Sequence, residues 1–172
     1  MSAKRITNFS MRAAELSDMS SLLLLTELAL PDLALTNSGQ RALLMQARAM
    51  LQSAIPKGTS YIALVEEDII GFGGWSWEQS PVTLVHTAGQ GVLYALLVHP
   101  RWRRRGIGRQ IIKLCELTAA RQSVKKLLIP IMAGQEGFPS ALGYTFAQQA
   151  DFRLAADAVI KMSVFSKLLN HA

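Results

Sequence analysis

An arginine- and glycine-rich turn is the part of this chain whose residue types point most directly to chemistry. Gly106 and Gly108 open a run with apolar residues at helical spacing, and Arg103–Arg105 come just before it. The first turn of a helix has unpaired N–H groups and the positive end of the helix dipole, and glycine lets a bulky anion approach the backbone. The segment is therefore predicted to bind phosphate groups, with Arg109 adding positive charge.

Hydrophobic patterns predict the elements that hold this turn. Val92–Val98 is an unbroken apolar run, typical of a buried strand, and the helix has an apolar face at Ile107, Ile111, Leu114 and Cys115. The chain lacks the G-x-x-x-x-G-K-[ST] pattern of a Walker loop, and it lacks the third glycine of the dinucleotide fingerprint G-x-G-x-x-G. The turn thus connects a strand to a helix without matching either of these nucleotide-binding loops.

Composition limits the class of protein. The chain has 172 residues, of which 50% are hydrophobic and 17% charged, which indicates one globular domain over 1–172. The single cysteine excludes an internal disulfide, and no run of 18 apolar residues or signal peptide is found, so a cytoplasmic location is expected.

The positive charge is concentrated near the turn. The formal net charge is +6, but the segment from His99 to Lys126 contains nine Lys or Arg residues and one acidic residue. Such a field attracts phosphorylated small molecules, and it attracts nucleic acid as well. Charge alone therefore does not choose between these two ligands.

The remaining patterns predict the element order β-α-α-β-β-β-α-β-α-β-β. The first helix is expected to begin at a Ser17-Asp18 cap and the second at an Asn37-Ser38 cap. The predicted segments are strand Phe9–Ala14, helices Met19–Leu30 and Gly39–Ser53, strands Ser60–Glu66 and Ile69–Trp77, a polar loop Glu78–Gly91, strand Lys126–Met132, a short helix or loop Gly134–Leu142, and strands Tyr144–Phe152 and Ala158–Phe165.

The turn and its surroundings resemble the GNAT superfamily of N-acetyltransferases. Arg103–Gly108 fits the [QR]-x-x-G-x-[GA] pattern of that family's acyl-CoA pyrophosphate loop, Leu96–Pro100 resembles the end of its central strand, and Phe138–Tyr144 resembles its F-Y-x-x-x-G-F segment. The element order is also that of the family, so the resemblance covers nearly the whole chain. It implies an α/β (α+β) fold with a single mixed, mostly antiparallel central sheet flanked by helices.

The resemblance also implies an activity, namely direct transfer of an acetyl group from acetyl-CoA to an amine of a small molecule or peptide. A backbone N–H at about Leu97 or Val98 would donate a hydrogen bond to the thioester oxygen. The implied cofactor-binding residues are Leu96, Leu97, Val98, Arg103, Arg104, Arg105, Gly106, Ile107, Gly108 and Arg109.

The catalytic positions of the family are occupied differently. The tyrosine that is its usual general acid falls on Pro139, a frequent asparagine falls near Met132, and a β4 carboxylate falls on Val92. Tyr94 lies two residues after Val92 and points to the same face of the strand, so it is a candidate proton donor or a core tyrosine.

Two further candidates precede that strand. Glu78 and His86 lie in or beside the loop that enters it, and His86 has the pKa range of a base, although a surface histidine is the simpler interpretation. The catalytic candidates are thus Tyr94, His86 and Glu78.

Other residues each have two interpretations. Trp75 and Trp77 share a face of one strand and either wall an acceptor pocket or pack in the core. Pro130 marks either an edge or bulge, or the place where the two central parallel strands of the family splay apart. Cys115 is expected in the core, His99 at the strand end beside the cofactor, and no metal site is expected.

Three other functions compete with the acetyltransferase. Loss of the family's tyrosine and carboxylate suggests a non-catalytic acyl-CoA-binding domain, and the arginine cluster with Trp102 suggests a nucleic-acid-binding module or an acetyltransferase whose acceptor is carried on RNA. The Gly-x-Gly opening of the helix favours the cofactor loop. The expected partners are acetyl-CoA and an amine acceptor, without nucleic acid or membrane, and the sequence leaves a homodimer open.

Overall fold

The computed structural model describes residues 8–29, 35–77, 88–132, 135–155 and 158–170. Its helices are α1 (Met19–Ala29), α2 (Asn37–Ala54), α3 (Ile107–Arg121) and α4 (Gly137–Ala141). Its strands are β1 (Ser10–Ala13), β2 (Ser60–Val65), β3 (Asp68–Ser76), β4 (Gln90–Val98), β5 (Lys126–Met132), β6 (Thr145–Ala155) and β7 (Ala158–Leu168).

The strands form one seven-stranded sheet in the order β1-β2-β3-β4-β5-β7-β6. Every neighbouring pair is antiparallel except β4 and β5, which are parallel. The predicted mixed, mostly antiparallel sheet flanked by helices is confirmed. Among the described helices, none has both the length and the apolarity that crossing a membrane requires.

The parallel pair at the centre of the sheet opens after three residues. Gln90–Val92 pair with Lys126–Leu128, and no pairing follows, whereas β5 pairs with β7 along its full length. Beyond Val92, one edge of β4 therefore faces a gap instead of a strand.

Two helical layers cover the two faces of the sheet. On one face, α3 buries Ile107, Ile111 and Cys115 against a cluster that includes Trp75 and Leu127. On the other face, α1 and α2 pack their apolar residues over β2, β3 and the second half of β4. The gap between β4 and β5 connects these two sides.

Close packing of α3 on β3 fixes the position of the helix. A Cβ atom at Gly73 would lie 2.4 Å from Cγ2 of Ile111, and one at Gly71 would lie 2.8 Å from Cγ2 of Ile107. Both distances are too short for real carbon atoms, so the helix lies at this depth only because β3 has no side chains there.

Both predicted helix caps were wrong. A short 3₁₀ turn precedes α1, and the Asp18 carboxylate accepts the N–H of Glu15 at 2.8 Å and pairs with Arg12 at 2.8 Å. The hydrogen bonds from Arg12 hold the pKa of Asp18 below its usual range. At α2 the cap is Thr36, whose Oγ1 accepts the N–H of Gly39 at 3.2 Å, so the helix begins two residues earlier than predicted.

Candidate active site

A single cleft of about 1360 Å³ runs from the start of α3, through the gap between β4 and β5, to the inner sides of α1 and α2. Its walls also include α4 and parts of β6 and β7. The cleft therefore reaches both faces of the sheet, and two ligands entering from opposite sides would meet in the gap.

The turn before α3 has an unusual backbone. Gly106 has φ 86° and Arg104 has φ 61°, and a left-handed conformation is strained for a residue with a Cβ. Gly106 is the N-cap of α3, and no side chain bonds to the first N–H groups of the helix. These N–H donors, including that of Gly108, are available to an anion in the cleft.

The arginines of the turn have different positions. Arg103, Arg104 and Arg109 line the cleft, whereas the guanidinium of Arg105 lies 4.8 Å from the centre of the Trp102 ring. Nine of the ten predicted cofactor-binding residues line the cleft. The tenth, Arg105, lies against Trp102 instead.

The free edge of β4 presents backbone donors to the gap. The N–H of His99 donates to the carbonyl of Ile70 on β3 at 2.9 Å. Because successive residues of an antiparallel strand direct their N–H groups to opposite sides, the N–H groups of Val98 and Leu96 point toward β5. The pairing of β4 with β5 has ended at that point.

Pro130 lies on the opposite wall of the gap. It pairs in register with Val164 of β7, and it is two residues beyond Leu128, where pairing with β4 ends. The missing N–H of proline thus falls on a strand that has lost one of its two partners. Of the two interpretations of Pro130, the structure agrees with the one in which the two central parallel strands splay apart.

An aromatic side chain without a hydroxyl faces the cleft from α4. Gly137 and Phe138 line the cleft, and a Cβ atom at Gly108 would lie 3.3 Å from Cζ of Phe138. Pro139, where the resemblance places the family's tyrosine, is buried, and its carbonyl accepts the N–H of Tyr144 at 3.1 Å. Neither Phe138 nor Pro139 has a proton to donate.

A polar cluster ties the chain after α4 to α3. The hydroxyl of Tyr144 donates to Oε1 of Glu116 at 2.8 Å, and Nζ of Lys167 donates to the same oxygen at 3.1 Å. Burial and the adjacent carboxylate raise the pKa of Tyr144 above its usual value. This tyrosine therefore anchors the segment that holds Phe138.

Tyr94 forms part of the cleft floor, but its hydroxyl is directed elsewhere. The residue is 2% exposed, and its hydroxyl hydrogen-bonds with Oγ of Ser60 on β2. The ring crosses β3 at Gly74, where a Cβ atom would lie 2.6 Å from it. The hydroxyl is therefore on the side of β4 away from β5.

Burial raises the pKa of Tyr94 well above its usual value, against the opposing effect of the bond to Ser60. The group is neutral at physiological pH, so it can only donate a proton. A role in acid catalysis stays a prediction, and it would require a donor path from the β2 side of the strand.

The other sequence candidates lie away from the gap. Glu78 and His86 fall outside the described residues. Trp75 is fully buried under α3, where its Nε1 donates to Oγ1 of Thr118 at 3.0 Å, and Trp77 packs on it edge to face. Neither tryptophan lines the cleft. Core packing applies to Trp75, and a role of Trp77 in an acceptor wall stays a prediction.

Cys115 and His99 both lie outside the cleft. Cys115 is fully buried, and burial raises its thiol pKa well above the usual value. Nδ1 of His99 accepts the N–H of Arg101 at 3.1 Å and caps a short turn at the end of β4.

Sequence reasoning missed the far end of the cleft. There the wall is built by Leu22 and Thr26 of α1, Leu43, Ala47 and Met50 of α2, and Phe152 of β6. The spacings 22/26 and 43/47/50 each place side chains on one helix face. That signal is the same as for ordinary core packing, so only the three-dimensional structure separates the two.

The family model of the GNAT acetyltransferases matches residues 28–137. The chain belongs to the GNAT family of acetyltransferases. Its members are acyltransferases that use acetyl-CoA as the acyl donor, and the open helix start, the arginines and the splayed strands fit that donor.

Solved structures of the same fold share little sequence with the chain. An N-acetyltransferase from Staphylococcus aureus has a TM-score of 0.70 at 14% identity, with 95% of this chain and 99% of that chain covered. A putative acetyltransferase from Salmonella typhimurium, solved with its cofactor acetyl-CoA, has a TM-score of 0.69 at 13% identity, with 95% of each chain covered.

A ribosomal-protein-alanine N-acetyltransferase from Brucella melitensis has a TM-score of 0.69 at 17% identity, with 93% of this chain and 99% of that chain covered. No curated protein matches the chain in sequence. These likenesses establish the fold and leave the acceptor to be argued from the site.

Proposed function

We propose that this acetyltransferase transfers the acetyl group of acetyl-CoA directly to the amine of a small molecule or peptide, without an acyl-enzyme. The observation that carries the proposal is the continuity of the cleft. The phosphate-binding turn lies at one end, the α1/α2 wall at the other, and the β4–β5 gap joins them. A donor and an acceptor can therefore be held at the gap together.

The turn before α3 would hold the diphosphate of the donor. The free N–H groups at Ile107, Gly108 and Arg109 supply hydrogen bonds, and Arg103 and Arg104 supply charge from the cleft wall. The donor brings an activated acyl group as a thioester, and the chain positions it by extending it along the free edge of β4.

The N–H groups of Val98 and Leu96 would bind the thioester oxygen. They point into the gap and have no strand partner there, so they are already in place as negative charge develops on that oxygen. Strand alternation thus selects Val98 over Leu97, the other residue that the family resemblance implied.

The described residues offer no nucleophile for a covalent intermediate at the gap. Cys115 is buried under α3 with a raised pKa, and the hydroxyl of Tyr94 is engaged by Ser60. The leaving thiol has an unperturbed pKa of about 8.5, so it can depart as thiolate without a strong acid. This agrees with the replacement of the family's tyrosine by Pro139.

Initial-rate kinetics with varied acetyl-CoA and varied amine test the proposal. Direct transfer predicts intersecting double-reciprocal lines and an unchanged protein mass after incubation with acetyl-CoA alone. Parallel lines together with a protein heavier by one acetyl group would contradict it. Protein that binds CoA yet acetylates no amine under single-turnover conditions would support the non-catalytic alternative.

A further inference from the structure

The far end of the cleft, on the α1/α2 side of the gap, has a distinct chemistry. We define the acceptor chamber by Leu22, Thr26, Leu43, Ala47, Met50 and Phe152, all of which line the cleft. Five of the six side chains are hydrocarbon or thioether. The chamber is reached through the gap from the phosphate-binding turn, so its occupant would be the second substrate.

Polar side chains of this wall donate hydrogen bonds to groups of the protein itself. Oγ1 of Thr26 donates to the carbonyl of Leu22 at 2.9 Å. The side-chain amide of the neighbouring Gln46 donates to the carbonyl of Leu154 at 3.2 Å, and the hydroxyl of Tyr94 pairs with Ser60. The described surface therefore presents mainly apolar atoms to a ligand.

Five charged residues line the cleft among the described residues, three at the cofactor end and two on β6. Arg103, Arg104 and Arg109 are at the cofactor end. Asp151 and Arg153 flank Phe152 on β6, and alternation along a strand directs their side chains to the opposite face of the sheet from Phe152. No charge from α1 or α2 enters the described part of the chamber.

An apolar chamber discriminates between the two forms of an amine. Moving an ammonium out of water without a partner is costly, so burial lowers the pKa of a bound amine and favours the neutral form. The neutral form is the nucleophile. Desolvation can thus produce the neutral amine without a general base. This is consistent with Val92 at the position where the resemblance places the family's carboxylate.

We infer that the acceptor is a primary amine on an apolar aromatic or aliphatic body and that it is taken up as the free base. This rests on the proposed acetyl transfer. The nitrogen lone pair forms the new C–N bond to the acetyl carbonyl carbon, the C–S bond breaks, and its electron pair leaves on the CoA sulfur. The proton released by the nitrogen passes to that thiolate or to water, which gives an amide and a free thiol.

Two sets of amines test the inference, with thiol release as the measurement. The apolar set is benzylamine, 2-phenylethylamine and the n-alkylamines from propyl to hexyl; the polar set is spermidine, glucosamine and lysine amide. Within the alkyl series, kcat/KM is expected to rise about threefold for each added methylene, because each buried methylene adds a favourable transfer free energy.

The pH profile supplies a second readout. For each amine, kcat/KM should rise about tenfold per pH unit and level off at the pKa of the free amine. A fluorinated ethylamine of lower pKa should therefore reach its plateau at lower pH than ethylamine. A profile that is the same for both amines would place the titrating group on the protein and contradict uptake as the free base.

A matched pair of variants on α2 tests whether the acceptor chamber determines the preference for apolar amines. Leu43→Asp places a carboxylate in the chamber and should lower kcat/KM for hexylamine at least about tenfold, since it introduces an unpaired charge beside apolar carbon. Met45→Asp is the control, because Met45 is on the same helix and 74% exposed. Both variants should keep the thermal shift given by CoA.

The outcomes separate this inference from the proposed function. Efficient acetylation of the polar set, with no response to alkyl length, would overturn the apolar acceptor and keep the acetyltransferase. Turnover that increases with acyl length from acetyl- to hexanoyl-CoA, but not with amine length, would assign the chamber to the acyl chain and also overturn it. Acetyl-CoA binding without turnover of any apolar amine counts against the inference as well.

Discussion

The two ends of the cleft differ in what they present to a ligand. At the start of α3, uncapped N–H groups and the side chains of Arg103, Arg104 and Arg109 offer donors and positive charge. At the α1/α2 end, Thr26 and Gln46 each donate a hydrogen bond to a backbone carbonyl, and most of the other lining side chains are apolar. One end thus fits an anion, and the other presents mainly apolar side chains.

The difference shows where specificity resides in this molecule. The proposed phosphate-binding site is a contiguous turn whose backbone shape is set by a few residues. The proposed acceptor chamber is assembled from α1, α2 and β6, which are far apart in sequence. Substitutions at the first end should therefore act on the cofactor alone, and those at the second on the acceptor alone.

The largest effect is expected from a negative charge at the turn. Gly108→Glu puts a carboxylate and added bulk where the diphosphate should lie, and its Cβ would meet Phe138 at 3.3 Å. The variant should stay folded and bind CoA at least about 100-fold more weakly, given that charged hydrogen bonds contribute ~1.5–3 kcal/mol each. Isothermal titration with CoA measures the change.

Gln110→Glu is the matched control. It adds the same charge to the exposed face of α3 and does not line the cleft. Its CoA affinity should stay within a few fold of the wild type, and CoA at a hundredfold excess over Kd should still stabilise it by about 2.7 kcal/mol. Folded Gly108→Glu protein with wild-type affinity would remove the phosphate role from this turn.

The next effect concerns the depth at which α3 lies on the sheet. Gly73→Ala adds a carbon 2.4 Å from Cγ2 of Ile111, so the helix must shift, and the free energy of unfolding should fall by about 1–3 kcal/mol. Gly137→Ala, where an added Cβ meets nothing within 4 Å, should leave that free energy nearly unchanged. Urea denaturation compares the two, and equal stabilities would mean that α3 does not need the glycine.

The same contrast explains what the sequence could predict. The phosphate turn, the buried strand β4 and the apolar face of α3 are local patterns, because each depends on neighbouring residues or on a fixed period. Nine of the ten residues predicted to bind the cofactor, from the turn and from the end of β4, line the cleft. The resemblance supplied the element order and the mostly antiparallel sheet, and it gave strand splay as one of two interpretations of Pro130.

The side-chain positions that the sequence did not predict depend on contacts between different segments. The position of Arg105 on Trp102 and that of Tyr94 against Ser60 depend on rotamers and on the absence of a side chain at Gly74. No periodicity encodes these choices. The two helix caps were mispredicted for local reasons, because several neighbouring polar residues could cap each helix. At α1, Asp18 accepts the N–H of Glu15 and pairs with Arg12, and at α2 the cap is Thr36.

A smaller effect distinguishes the arginines within the cofactor end. Arg109→Ala removes a guanidinium that lines the cleft and should raise the Kd for CoA about tenfold, as expected for one charge-assisted hydrogen bond. Arg105→Ala removes the group that stacks on Trp102 and should raise it by less than about threefold. Equal losses in the two variants would assign Arg105 to the phosphate site after all.

The smallest effect on turnover is expected at Tyr94, on the floor between the two ends. Tyr94→Phe removes the hydroxyl that pairs with Ser60 and should lower the free energy of unfolding by about 1 kcal/mol, the usual value of a buried hydrogen bond. Because that hydroxyl lies on the β2 side of β4, kcat should change by less than about threefold and the pH profile should keep its shape. Ser60→Ala removes the other partner of this hydrogen bond. It should lower the free energy of unfolding by a similar amount and change kcat equally little. A contrary result would be a fall in kcat of about 10² or more in Tyr94→Phe, the range of a positioned acid, without such a fall in Ser60→Ala. Tyr94 would then be the proton donor that Pro139 cannot be. The cleft would in that case have a catalytic group between its two ends.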